Sequence, residues 1–193
     1  MISHGRFTTR SFAQVCLDCG GVYTRKMFFD LSDTRVHVEQ SGRGEALVLL
    51  HGFTDSGCNW LPLVPALAET HLVIRPDARG HGLSARLDRD FTLDDLAADV
   101  IGVLDGLNIA KAALLGHSMG ASTAARGLRC PATLITGDPE RGAIVTPAIA
   151  REAEALCQTL TTLFIAGAGH NIRREKGIAY LDAVRSGLNL GSE

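Results

Sequence analysis

The chain has 193 residues, 46% of them hydrophobic and 21% charged, a balance ordinary for a globular protein with one two-sided core. A formal net charge of −2 supplies no global field for nucleic acid or an anionic membrane, so neither is expected as a partner. No apolar run has the length of a membrane span or a signal-peptide core, and the five cysteines are scattered and odd in number. These features lead us to expect a soluble cytoplasmic protein without a disulfide framework.

Residues 1–25 read as an irregular extension, and 26–193 as one domain. Cys16-Leu-Asp-Cys19 has the spacing of half a zinc knuckle or of a redox pair. A structural zinc needs four ligands and no second pair follows, so two free thiols are expected, with no metal and no cofactor. Met27–Asp30 and Arg35–Gln40 read as strands joined at the turn pair Ser32-Asp33. Ala46–Leu50 is a continuous apolar run, as in a strand buried on both faces of a parallel sheet. Trp60–Ala68 reads as a helix with Pro62 in its first turn. Leu72–Ile74 is the next buried strand. Thr92-Leu-Asp-Asp95 has the form of a capping box, opening a helix with Leu93, Leu96, Val100, Ile101, Val103 and Leu104 at helical spacing.

Ala112–Leu115 reads as a further strand, Met119–Arg126 as a helix stopped by Gly127, and Ala132–Ile135 as a strand. Thr146-Pro147 starts a helix through about Leu156. Leu163–Ala166 reads as the last strand and Lys176–Leu188 as the last helix. Strands alternating with helices imply an α/β fold with a doubly wound, mostly parallel sheet.

Three segments carry chemistry. Gly116-His117-Ser118-Met119-Gly120 is a G-x-S-x-G motif lying between a strand and a helix. In that context the turn strains the serine, lifts its hydroxyl above the sheet, and sets it beside a helix N-terminus that favours developing negative charge. His51-Gly52-Phe53 ends the Ala46–Leu50 strand. An oxyanion needs two donors, and the backbone N–H groups of Phe53 and Met119 are the candidates. His51 is expected to hold this loop. Asp77-Ala-Arg79-Gly80-His81-Gly82-Leu-Ser84 follows the next strand and reads as scaffold, with Asp77 and Arg79 able to pair.

Taken in order, these motifs resemble the α/β-hydrolase superfamily in its esterase-like branch, over about Phe28 to Leu188. The resemblance implies a serine hydrolase with Ser118 as nucleophile. The family's acid follows a later strand, where Asp138 stands with Glu140 as competitor. The family's histidine follows the last strand, where His170 stands. The order Ser118, Asp138, His170 is the one that the fold requires. The implied substrate is a small carboxylic ester, a lactone or a C–C bond. Epoxide hydrolases and haloalkane dehalogenases use an aspartate where Ser118 stands.

The chain departs from the family pattern between Ser118 and Asp138, only twenty positions apart. The usual cap and one strand are missing, which implies a shortened fold without a cap domain. The Met119–Pro131 link has about the dozen residues of a parallel crossover. Moving the acid by one strand spacing, roughly 4.8 Å, exceeds what a triad hydrogen bond tolerates unless the histidine loop moves with it. The alternative reading is therefore an inactive, truncated scaffold. Without a cap the site is expected to be open, and uncovered apolar surface would favour a homo-oligomer.

Overall fold

The computed structural model describes residues 14–17, 22–86, 89–127, 132–156 and 159–189. The chain divides into two compact units, Met1–Gly127 and Leu128–Glu193. Cys19, Cys130 and Cys157 lie outside the described residues.

The first unit is built on six strands: β1 (Gln14–Leu17), β2 (Tyr23–Asp30), β3 (Arg35–Gly42), β4 (Glu45–Leu50), β5 (His71–Pro76) and β6 (Ala112–Gly116). Their order across the sheet is β1-β2-β3-β5-β4-β6. The hairpin side, β1 to β3 and on to β5, is antiparallel. The β5-β4-β6 side, where helices intervene in the sequence, is parallel. Glu45 opens β4 at the surface, and Ala46 to Leu50 are all buried. With β5 and β6 on its two sides, β4 is central and its unbroken apolar run fills both faces of the sheet.

Four sequence expectations shift. Residues 1–25 are not irregular throughout: β1 pairs antiparallel with β2, which begins at Tyr23. The period-two Val15/Leu17 pattern is a strand signal too short to stand out alone. The Trp60–Ala68 helix is split into a 3-10 turn, Gly57–Trp60, and a single α-turn, α1 (Val64–Leu67). Pro62 and Pro65 remove two helical donors there. Trp60, Val64 and Leu67 nevertheless bury their side chains completely. Asp77 and Arg79 do not pair with each other; Asp77 binds His37 and Arg79 binds Asp99. The last strand begins three residues early.

Helix α2 (Leu93–Gly106) starts as its sequence announces. Thr92 Oγ1 accepts from the Asp95 N–H, and the Asp95 carboxylate accepts from the Thr92 N–H. It packs on α3 (Met119–Gly127), which lies against β4 and β6.

The second unit has two parallel strands, β7 (Ala132–Thr136) and β8 (Leu160–Phe164). Helix α4 (Pro147–Leu156) packs on β8. After the single turn α5 (Ile172–Glu175), helix α6 (Gly177–Asn189) packs on β7. Thr161 and Thr162 interrupt the apolar run, which is why β8 reads from sequence as starting at Leu163. Its register with β7 runs from Leu160 opposite Ala132 to Phe164 opposite Thr136. Among the described residues no helix is long and apolar enough to cross a membrane.

Candidate active site

Ser118 stands between β6 and α3 with φ of +53°, one of two non-glycine residues with positive φ among the described residues. The left-handed conformation costs a residue with a Cβ about 1–3 kcal/mol, so the turn must be held by its surroundings. It is. The His117 N–H donates to Leu50 O, tying the turn to the end of β4 at 3.0 Å. Gly120 N–H donates back to His117 O, and Ala121 N–H to Ser118 O, each at 2.9 Å. A Cβ on Gly116 would lie 2.4 Å from the Gly120 backbone, and one on Gly120 would lie 2.1 Å from Leu50 O. Both glycines are steric requirements of the crossing. Met119 is the first residue of α3, so its N–H has no acceptor one turn back within the helix.

Beside this elbow runs the loop after β4. A Cβ on Gly52 would meet His117 Nδ1 at 3.1 Å and the Ser118 Cβ at 3.5 Å, so Gly52 lets the loop reach the serine. Asp55 N–H donates to Gly52 O at 3.0 Å and closes a turn around Phe53. His51 is buried with its Nδ1 2.8 Å from Gly52 O and its Nε2 2.9 Å from the Ala78 N–H. A carbonyl only accepts and an N–H only donates, so the proton sits on Nδ1 and the ring is neutral. Burial pushes the His51 pKa below the usual histidine value, which the Gly52 carbonyl offsets only in part. His51 is a strut, as its sequence context suggests.

Sequence reasoning missed the Asp55–His117 pair, 4.0 Å apart beside the elbow. The signal was available: the variable position before the motif serine is a histidine, and the loop facing it carries a carboxylate.

The β5 loop is scaffold, but wired differently from the expected Asp77–Arg79 pair. The Asp77 carboxylate accepts from Gly57 N–H (2.7 Å), Leu83 N–H (2.9 Å) and His37 Nδ1 (3.0 Å). Burial raises its pKa, and the His37 and backbone hydrogen bonds overcome that, leaving it below the ordinary carboxylate value. Arg79 reaches the other way. Its guanidinium forms a bidentate pair with Asp99 of α2, both bonds at 2.7 Å, and also binds Asp33 in the β2–β3 turn.

In the second unit Asp138 and His170 follow β7 and β8. The two loops are joined: Asp138 N–H donates to Ala168 O at 2.6 Å, and Asp138 Oδ2 accepts from Gly167 N–H at 3.3 Å. A Cβ on Gly137 would lie 2.5 Å from Ala168 O, so the close approach depends on glycine. Gly169 N–H donates to Glu175 of α5 at 2.9 Å, holding the residue before His170. Asp138 and His170 are both half-buried, whereas Glu140 is exposed. The structure thus joins the acid loop to the histidine loop in one unit, and Gly52 to Ser118 in the other.

Residues 45–128 match the family model described as the alpha/beta hydrolase fold. Over this stretch, a little under half of the chain, the sequence is similar to that family. That stretch runs from β4 to the end of α3 and contains Phe53, Ser118 and Met119. It stops before Asp138 and His170. Curated relatives include the dihydrolipoyllysine-residue acetyltransferase component of an acetoin cleaving system from Pseudomonas putida. This chain is 51% identical to it over 77 residues, 40% of this chain and 21% of that one. A soluble epoxide hydrolase from Corynebacterium sp. (strain C12) is 40% identical over 90 residues, 47% of this chain and 32% of that one. The chain therefore spans about a fifth to a third of these relatives' length. The crystal structure of an E-2-(acetamidomethylene)succinate hydrolase matches with a TM-score of 0.75 at 17% identity, over 93% of this chain and 100% of that one. That likeness is one of fold.

Proposed function

We propose that this hydrolase-fold chain is a serine hydrolase cleaving small carboxylic esters, or lactones, through an acyl-Ser118 intermediate. The observation that carries the reading is the backbone of Ser118, a non-glycine residue held at φ of +53° between a parallel strand and a helix N-terminus. A turn this constrained is retained where the hydroxyl must be presented for attack.

In the proposed reaction His170 takes the Ser118 proton as Oγ attacks the ester carbonyl carbon. The carbonyl oxygen becomes an oxyanion that accepts hydrogen bonds from the Phe53 and Met119 N–H groups. On collapse the C–O bond to the alcohol breaks, and His170 returns the proton to the leaving oxygen. Water, deprotonated by His170, then releases the acid and restores Ser118. Asp138 holds the His170 ring and stabilises its charged form. Each step draws on protein groups and water alone. Sequence similarity to an epoxide hydrolase does not redirect the reading, because a serine stands where that chemistry uses an aspartate.

The test is p-nitrophenyl acetate turnover and fluorophosphonate labelling of the protein and of Ser118→Ala. Both signals are expected in the parent and absent in the variant. A folded parent that neither turns over nor labels would establish the inactive scaffold instead.

A further inference from the structure

His81 lies at the centre of the β5 loop and makes two hydrogen bonds that no neutral histidine can make together. Its Nδ1 is 2.9 Å from Arg79 O and its Nε2 is 2.6 Å from Phe53 O. Both partners are carbonyl oxygens, which only accept. A neutral imidazole has one N–H and one lone pair, so one contact would set a lone pair against a carbonyl oxygen. The imidazolium has two N–H donors and satisfies both.

The ring has little freedom to escape this. His81 N–H donates to Ala78 O at 2.9 Å, and Ser84 N–H donates to His81 O at 3.0 Å. Gly80 and Gly82 flank it at φ of +76° and +52°, and a Cβ on Gly82 would strike the Asp77 carboxylate at 2.3 Å. The rings of His51, Phe53 and Phe91 surround it at 5.3, 5.6 and 6.1 Å.

The bond to Phe53 O matters because of what else holds Phe53. The Gly52–Phe53 peptide, whose N–H is the proposed oxyanion donor, is fixed through its carbonyl by His51 Nδ1 and the Asp55 N–H. The next peptide is fixed through its carbonyl by His81. Two histidines therefore stand against the two peptide carbonyls on either side of Phe53.

We propose that His81 is a positioning residue that clamps the oxyanion loop only as an imidazolium, so that loss of its proton releases Phe53 and weakens the site. This rests on the serine-hydrolase reading for its effect on turnover, though not for the clamp itself.

The surrounding charges are otherwise committed. On its own loop Asp77 is bound to His37, and Arg79 to Asp99 and Asp33. On the segment leading to α2, Arg89 is bound to Asp33, and Asp90 carries its backbone carbonyl to Arg89. On the loop after β4, Asp55 faces His117. The titratable group in ring contact is His51, and a charge on His81 further disfavours a charge there. Among the described residues no carboxylate hydrogen-bonds to His81; the two carbonyls hold its proton.

The experiment has two arms. Nitrogen-15 NMR of the histidine rings reads the protonation of His81 and the Phe53 amide together, in wild type and in Ser118→Ala. Both ring nitrogens are expected to be protonated at low pH, with the Phe53 amide shifting in the same titration. The second arm measures kcat/KM against pH for wild type, His81→Gln and His81→Phe. Wild type should show an alkaline fall of about tenfold to a hundredfold, mostly in kcat, because the oxyanion donor is displaced. That limb should vanish in both variants, which carry no titrating ring at this position. A His81 ring that stays neutral throughout the folded range, or an alkaline limb unchanged in His81→Gln, overturns the clamp. Loss of Ser118-dependent turnover with the NMR coupling intact would instead overturn the hydrolase reading and leave the clamp standing.

Discussion

At Ser118 the backbone is strained, and strain of this kind is measurable without any substrate. Replacing Ser118 by glycine removes the Cβ that makes φ of +53° unfavourable. Glycine also widens the unfolded ensemble, which works in the opposite direction by several tenths of a kcal/mol. The strain relief outweighs that loss, so Ser118→Gly should raise stability to urea by about 1 kcal/mol. Ser118→Ala keeps the Cβ and should stay within about 0.5 kcal/mol of the parent. Equal stabilities for the two variants would show that the turn is relaxed. The neighbouring glycines set the contrast: an added methyl on Gly120 has Leu50 O 2.1 Å away, and only backbone movement can make room. At this scale the sequence was most legible. G-x-S-x-G fixes where a side chain is forbidden and where one must stand out. It carries no mark of the partners that His81 takes, because Phe53 lies 28 residues away on another loop.

At the scale of elements, Arg79 joins what the chain separates. Its guanidinium, 3% exposed, binds Asp99 on α2 and Asp33 in the β2–β3 turn, with Asp95 of α2 at 3.7 Å. Burial pushes the Asp99 carboxyl above its ordinary pKa, and Arg79 pulls it back only in part. Arg79→Ala would leave that carboxyl buried and unpaired, at a cost of about 3–5 kcal/mol. The exposed Arg35–Asp30 pair sets the reference: Arg35→Ala should cost under about 1 kcal/mol. Urea unfolding of the two variants checks both figures, and similar values would mean that Arg79 straps nothing together. Elements with strong local signals, such as the capping box at Thr92 or the apolar run of β4, could be read directly. The split at Trp60 and the early start of β8 could not. In the first case two prolines broke a helical period, and in the second two threonines concealed a strand whose place is set by its pairing with β7.

At the scale of the whole molecule the proposed chemistry requires both units. Ser118, Phe53 and Met119 belong to Met1–Gly127, whereas Asp138 and His170 belong to Leu128–Glu193. The family pattern supplied the second pair of residues, since periodicity alone marks Asp138 and Glu140 equally. Asp138 has local duties as well. Its N–H donates to Ala168 O, its carbonyl accepts from Arg141 and Ala143, and its carboxylate accepts from Gly167. Asparagine keeps all of these, because the backbone groups are untouched and an amide oxygen still accepts from Gly167. Asp138→Asn should therefore unfold within about 1 kcal/mol of the parent. Catalysis should respond quite differently. An asparagine can present an N–H to His170 and favour the wrong tautomer, which lowers turnover by about 10⁴-fold where an acid of this kind operates. Fluorophosphonate labelling of Ser118 should slow in parallel. A variant that folds normally and keeps its turnover would detach Asp138 from the reaction, and Glu140→Gln would then be the variant to lose activity. If both variants keep it, Ser118 reacts without an acid from the second unit.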